Sequence, residues 1–137
     1  MDAKLELLRR VPLFSHLSGA GLEEVGRLAD EVDLPAGREL MREGDRGREF
    51  MLVLDGQVRI HRGGRQLTTL GPGDFLGEIA LLDGGPRSAT ATADTPVRVL
   101  VLARSEFLTL IDEFADIRTA VLEALAQRVR RLEPDAG

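Results

Sequence analysis

The chain has 137 residues, enough for one domain with a proper hydrophobic core and too few for two domains of ordinary size. It contains no cysteine, which excludes disulfide frameworks, thiolate zinc sites, iron–sulfur clusters and cysteine nucleophiles. A formal net charge of −5 argues against general electrostatic binding of nucleic acid. No apolar stretch is long enough to span a bilayer, and the N-terminus lacks the apolar core of a signal peptide. We therefore expect a soluble, cytoplasmic protein without a membrane span.

The N-terminal part of the chain has the spacing of short helices. A first helix is expected to end at Pro12, because proline interrupts the hydrogen-bond ladder. Ser18 is a good N-cap for a second helix, whose apolar residues recur at helical spacing as far as Val32. Residues 1–33 are therefore predicted to be N-terminal helices.

Residues 34–103 change to the pattern of short strands. Apolar runs alternate with glycine-rich turns, and Asp55-Gly56 and Gly63-Gly64 are dipeptides typical of β-hairpins. Short strands at this spacing predict an antiparallel β-roll, that is, a barrel or double-stranded jelly roll.

After residue 103 the helical period returns. Residues 104–111 predict one helix and residues 113–132 a longer one, with apolar residues three or four positions apart. These apolar residues are Ile117, Val121, Leu125, Val129 and Leu132. The predicted fold class is therefore mainly β with flanking α-helices: an antiparallel β-roll, N-terminal helices, a short helix in the roll and C-terminal helices.

Residues 75–90 combine groups that suit a small anion. Gly77 permits a tight turn, and the segment after it is long enough for one short helix, whose N-terminus offers free N–H groups. Arg87 adds a planar fork of donors that suits phosphate. The carboxylate of Glu78 would repel a phosphate but is suited to a sugar hydroxyl beside it. With small residues such as Ala89 nearby, the set predicts a compact nucleotide site.

This segment resembles the phosphate-binding cassette of cyclic nucleotide-binding domains, the family found in bacterial catabolite regulators, protein kinase regulatory subunits and cyclic-nucleotide-gated channels. The family pattern Phe-Gly-Glu-(Leu/Ile)-Ala-Leu, then Arg-(Ser/Thr/Ala)-Ala, is matched at residues 76–81 and 87–89, with Leu76 replacing Phe. Other family motifs follow in order: Val11-Pro12-Leu13-Phe14, the Gly37 turn, Glu43-Gly44-Asp45, the Gly56 hairpin and Gly71-Pro72-Gly73-Asp74-Phe75. The resemblance implies a single domain over residues 1–137, with the β-roll at 34–103 and hinge and lid helices at 104–132.

The resemblance also implies roles for the cassette residues. Arg87 would pair with the exocyclic oxygens of a cyclic phosphate, and Glu78 would accept from the ribose 2′-hydroxyl. Backbone N–H groups near the helix start and after Arg87 would complete the cradle. The candidate ligand-binding residues are Gly77, Glu78, Ile79, Ala80, Arg87, Ser88, Ala89 and Arg128.

In this family the last helix folds over the base as a lid. The chain has no Tyr or Trp for an aromatic cap. Matching the length of bacterial channel domains places the capping arginine at Arg128, whose guanidinium would stack on a purine. A solvated Arg128 remains an alternative, as do the apolar Leu125 and Val129. Residues 107–114 would serve as the hinge when ligand binding closes the lid.

The expected ligand is cAMP, with cGMP as the alternative, because the chain looks bacterial. Ser88 does not discriminate between the two, since a hydroxyl at this position can help hold guanine but serine also occurs in family members that respond to cAMP. No nucleophile–base pair, metal cluster or cofactor motif is evident, so we expect a regulatory sensor that is neither an enzyme nor dependent on a cofactor or metal. Its partner would be an effector domain or protein outside this chain, without direct nucleic-acid contact.

Three alternatives remain open from the sequence. Glu78 and Arg87 could form a salt bridge in a roll that no longer binds nucleotide. The apolar stripe of the last helix could form a homodimer seam in a nucleotide-independent interaction module. The chain could also be the sensor part of a catabolite-type transcription regulator, which would need a helix-turn-helix.

Overall fold

The computed structural model describes residues 3–11, 14–15, 17–77 and 85–132, except for the side chains at 124–125, 127–129 and 131–132. The helices are α1 (Ala3–Arg9), α2 (Gly19–Leu28), α3 (Arg104–Glu113) and α4 (Ala115–Leu132). The strands are β1 (Asp30–Leu34), β2 (Glu39–Met41), β3 (Glu49–Asp55), β4 (Val58–Arg62), β5 (Arg65–Leu70), β6 (Phe75–Leu76), β7 (Thr90–Ala93) and β8 (Val97–Ala103). The short helix expected at residues 78–82 lies outside the described residues.

Within the described part of the chain, the strands form two four-stranded antiparallel sheets. One sheet has the order β1-β8-β3-β6 and the other the order β2-β7-β4-β5. Gly63 and Gly64, with φ of 57° and 79°, form the tight turn between β4 and β5. The predicted fold class, a mainly β jelly roll with flanking helices, is confirmed.

The central strands of the first sheet, β3 and β8, are buried on both faces, which gives the protein three layers. Along β3, Phe50 and Leu52 belong to the core that the helices cover, whereas Met51 and Val53 belong to the core between the sheets. Successive side chains of a strand point to opposite faces, so a continuous apolar run is what a doubly covered strand requires. The core between the sheets is completed by small residues of β7 such as Ala91.

Two sequence predictions are wrong in detail. The second helix ends at Leu28, and Val32 lies in β1, where it pairs with Val99 of β8. An apolar residue at position 32 fits the spacing of a helix as well as that of a strand. The strand forms because this segment pairs with the long strand β8. Asp55-Gly56 is not a hairpin between paired strands, because β3 and β4 lie in different sheets.

Gly56 marks the crossing between the sheets. Its φ is +94°, and a Cβ there would lie 2.7 Å from a methyl carbon of Val97. A side chain is therefore disfavoured by both backbone conformation and space.

Three phenylalanines join the helices to the first sheet. Phe14 contacts Phe50 of β3 edge to face, with ring centroids 5.5 Å apart and an interplanar angle of 83°. It also contacts Phe107 of α3, with centroids 6.1 Å apart at 68°. All three are buried, at 1% exposure or less. Phe14 therefore connects the N-terminal segment, the sheet and the C-terminal helices.

The C-terminal helices are separated at Phe114, whose backbone is extended. The expected break is confirmed, and the second helix begins at Ala115, two residues later than predicted. Ile117 and Val121 of the predicted apolar stripe are buried in the core under the helices. The side chains of the rest of that stripe lie outside the described residues. The start of α4 therefore packs against its own domain.

Asp116 links the first turn of α4 to the start of α2. Its Oδ2 accepts a hydrogen bond from the Ser18 hydroxyl at 2.8 Å and from the Ser18 N–H at 3.2 Å. The Ser18 hydroxyl in turn accepts from the N–H of Gly21 at 3.1 Å, which confirms the predicted N-cap. The hydrogen bond from the Ser18 hydroxyl holds the pKa of the Asp116 carboxyl below its ordinary value.

We expect Asp116→Ala to destabilise the fold by at most about 1 kcal/mol, with the difference decreasing in acid. The folded-state pKa of Asp116 lies below its unfolded-state pKa, so its stabilisation is present above the unfolded pKa. It is lost as the pH falls through the folded pKa. Urea midpoints of wild type and variant should differ at about pH 6, and the difference should be smaller at about pH 3, below the ordinary pKa of an aspartate. Asp112→Ala, an exposed carboxylate on α3, is the control, and an equal gap at both pH values would contradict the assignment.

Candidate functional site

The structure describes part of the predicted cassette. Gly77 follows β6, and Ser88 and Ala89 lie between Arg87 and β7. Arg128 lies on α4, but its side chain is outside the described set. Glu78, Ile79 and Ala80 are also outside the described residues, so their predicted roles stay predictions.

Arg87 and Gly77 lie in contact. The Arg87 Nη2 donates a hydrogen bond to the backbone carbonyl oxygen of Glu49 at 2.5 Å. A Cβ built on Gly77 would lie 2.5 Å from Arg87 Nη1 and equally close to that same carbonyl. Gly77 also has φ of +86°, a conformation that favours glycine. A side chain at position 77 would therefore clash with both the guanidinium and the carbonyl that it contacts.

The backbone of Arg87 is held by the loop that precedes β3. The Arg87 N–H donates to the Asp45 carbonyl at 2.7 Å, and the Arg87 carbonyl accepts from the Gly44 N–H at 2.9 Å. A further bond joins the N–H of Gly47 to the carbonyl of Gly85 at 2.9 Å. In the sequence, Glu43-Gly44-Asp45 is recognisable only as one motif in the family order. The hydrogen bonds between this loop and the cassette join backbone atoms, so the residue types of the loop do not predict them.

Ser88 and Ala89 differ in surroundings. Ser88 is exposed, and its carbonyl accepts a hydrogen bond from Arg62 Nε at 2.7 Å. Ala89 is 4% exposed and packs in the core between the sheets. Any contact of Ala89 with a ligand therefore has to use its backbone, whereas the Ser88 side chain is accessible. The Arg62 contact was not indicated by the sequence.

A depression of about 200 Å³ opens beside Arg87. Its lining residues are Leu40, Met41, Arg42, Asp45, Arg46, Arg48, Glu49 and Arg87. Four arginines against two acids make this lining positive, although the chain as a whole carries a net charge of −5. The arrangement favours an anionic ligand over a neutral or cationic one.

Burial lowers the pKa of the Arg87 guanidinium, and the Glu49 carboxylate opposes this effect. Because burial has the larger effect, the attraction of the Glu49 carboxylate offsets only part of the free-energy cost of removing this cation from water. Arginine nevertheless stays protonated in proteins, so a permanent positive charge is held at this site. An anion placed beside it would gain a charge-assisted, bidentate hydrogen bond.

Other site chemistry is not indicated by the described residues. Among them, no group of three or more His, Asp or Glu side chains could hold a metal ion. The same residues include no helix long and apolar enough to cross a membrane.

Comparison with known proteins identifies the family of this domain. A family model described as the cyclic nucleotide-binding domain matches residues 31–114. The chain belongs to this family. The match runs from β1 through both sheets to the junction between α3 and α4, so it includes the whole cassette.

Relatives of the domain belong to different classes of protein. The chain is 32% identical over 131 residues to a CRP-like cAMP-activated global transcriptional regulator of Mycobacterium tuberculosis, covering 92% of this chain and 58% of the relative. It is 33% identical over 123 residues to a cyclic nucleotide-gated potassium channel of Rhizobium etli, covering 90% of this chain and 34% of the channel. The chain therefore spans less than two thirds of either relative.

A solved structure has the same architecture. The N-terminal domain of a transcriptional regulator from Streptomyces coelicolor superposes with a TM-score of 0.86 at 36% identity. The match covers 92% of both chains.

Proposed function

We propose that this domain binds a cyclic nucleotide, with cAMP preferred over cGMP, at the cassette between β6 and β7. The observation that carries the proposal is the Arg87 guanidinium, which lies against Gly77 and the Glu49 carbonyl beside a positively lined depression. Arg87 pairs with the cyclic phosphate, and Glu78 accepts from the ribose 2′-hydroxyl. The names of the relatives, a cAMP-activated regulator and a cyclic nucleotide-gated channel, support this ligand class.

Binding needs no covalent step. The proposed roles of Arg87, Glu78 and the backbone N–H groups near Ile79, Ala80 and Ser88 are hydrogen bonding and charge pairing alone. The domain therefore acts as a sensor that needs neither a metal nor a cofactor beyond its nucleotide. Its effect is transmitted by a shift in conformational population towards the state that the ligand prefers.

The moving element is α4. We propose that ligand binding closes α4 over the base about a hinge at residues 107–114, with Arg128 against the purine. The extended backbone at Phe114 supports the hinge, because it interrupts the helical hydrogen bonds between α3 and α4. Ile117 and Val121 are buried in the core under the helices, so closure about this hinge has to rearrange the packing of the first turns of α4.

Isothermal titration with cAMP, cGMP and 5′-AMP tests the ligand. We expect cAMP to bind more tightly than cGMP, and 5′-AMP to bind more weakly than either, because it lacks the cyclic diester. Hydrogen exchange of the α4 amides beyond residue 121 should slow when cAMP is present. The absence of heat with both cyclic nucleotides would refute the proposal, and tighter binding of cGMP would reverse the base preference.

We also propose which kind of effector this domain controls. The Streptomyces structure, an N-terminal domain of a transcriptional regulator that this chain covers almost completely, favours the sensor part of a catabolite-type regulator over a channel. The competing hypothesis is a nucleotide-independent interaction module that dimerises through α4, supported by Leu122, which is 67% exposed. Measuring the mass in solution with and without cAMP separates them. A ligand-independent dimer that gives no heat with nucleotide would favour the interaction module.

A further inference from the structure

Arg62 lies at the tip of the β4–β5 hairpin and reaches the cassette. β4 pairs with β7 as far as His61, which faces Thr90. The backbone ladder ends there, and the side chain of the next residue, Arg62, continues the connection by donating from Nε to the Ser88 carbonyl at 2.7 Å. The hairpin is thereby attached to the residue that directly follows Arg87.

The same hairpin tip is attached at a second point. The N–H of Gly63 donates to the Glu43 carboxylate at 3.2 Å. The N–H of Glu43 donates to the Thr90 hydroxyl at 3.0 Å, and Thr90 is 8% exposed. One hydrogen-bonded group therefore joins the hairpin tip, the start of the loop that binds the Arg87 backbone, and the beginning of β7.

These bonds act on successive peptide units. Asp45 and Gly44 hold the N–H and the carbonyl of Arg87, and Arg62 holds the carbonyl of Ser88. Because a peptide unit is planar, fixing the Ser88 carbonyl also fixes the direction of the N–H that follows it. The segment that carries Arg87 is thus restrained on both sides.

We propose that Arg62 is a positioning residue, whose hydrogen bond to the Ser88 carbonyl holds the segment 87–89 in the orientation that binds the anionic part of the ligand. The inference rests on the proposed cyclic-nucleotide site. Pre-ordering this segment lowers the entropy that binding would otherwise have to supply. Loss of the bond therefore lowers the affinity for the ligand.

The test compares three variants of the hairpin. Arg62→Ala removes the bond and the charge. Arg62→Lys keeps the charge and an ammonium group that can donate. Arg65→Ala removes the same charge from the position facing Arg62 across the hairpin. We expect cAMP affinity to fall about five-fold in Arg62→Ala, the effect of losing one hydrogen bond. Arg62→Lys should recover most of this loss, and Arg65→Ala should change affinity less than about two-fold.

A measurement without nucleotide separates this inference from the proposed function. Amide hydrogen exchange of Arg87 and Gly44, followed by NMR, should accelerate about five-fold in Arg62→Ala and remain unchanged in Arg65→Ala. If the wild type binds no cyclic nucleotide but the exchange changes as expected, the positioning function stands and the ligand is wrong. Equal affinities and equal exchange in Arg62→Ala and Arg65→Ala would overturn the positioning function, whatever the ligand.

Discussion

Replacing Arg87 with alanine is expected to weaken cAMP binding at least about ten-fold, because a hydrogen bond to a charged group contributes roughly 1.5–3 kcal/mol. The guanidinium is partly buried and fixed by the Glu49 carbonyl, so it needs little reorganisation to meet a phosphate. Arg87→Lys should give an intermediate affinity, because an ammonium keeps the charge but loses the bidentate fork. Isothermal titration of both variants measures the effect.

The matched control is Arg98→Ala, an exposed arginine in the first sheet that pairs with Asp33. Its loss should leave cAMP affinity unchanged, because this pair lies on β1 and β8 rather than at the cassette. Arg87→Ala should also lose about 1 kcal/mol of folding stability through its bond to Glu49, which thermal unfolding detects. A folded Arg87→Ala variant with wild-type affinity would show that the ligand binds elsewhere.

Replacing Phe14 with alanine is expected to destabilise the domain by about 3–5 kcal/mol, the usual cost of removing a buried aromatic ring. Phe14 is fully buried and contacts both Phe50 of the first sheet and Phe107 of α3. The substitution would leave a cavity between the helices and the first sheet and would remove the ring contacts that join them. Urea unfolding gives the change in the free energy of unfolding.

Phe14→Leu is the graded control for this core position. It keeps most of the buried apolar volume and should cost clearly less than the alanine variant. If the alanine variant does not fold, the leucine variant still tests the position, with an expected loss of about 1–2 kcal/mol. A leucine variant as stable as the wild type would mean that Phe14 does not connect the layers as described.

Much of the fold was predictable because its signals are local. The N-cap at Ser18, the Gly63-Gly64 turn and the apolar run of β3 each depend on the preferences of adjacent residues. The end of α2 was not predictable in this way. Val32 fits a helical spacing, and only pairing with β8 makes it part of a strand.

The crossing between the sheets at Gly56 was not predictable from the sequence for a similar reason. A turn dipeptide indicates that the chain reverses, but it does not indicate whether the strands on either side pair with each other. Here β3 pairs with β6 and β8, and β4 with β5 and β7. Which strands are neighbours depends on burying both faces of β3 between two layers.

For the site, the sequence by itself determined which chemical groups are present: a cassette arginine, a glycine that permits the turn, and the order of motifs that indicates the family. Only the tertiary structure decided what holds them. The contact of Arg87 with Gly77, the backbone bonds from the loop before β3 and the Arg62 bond to Ser88 join residues far apart in the chain. Most of these bonds use backbone carbonyls and amides, which every residue carries, so their pairing emerges only when the two sheets bring them together.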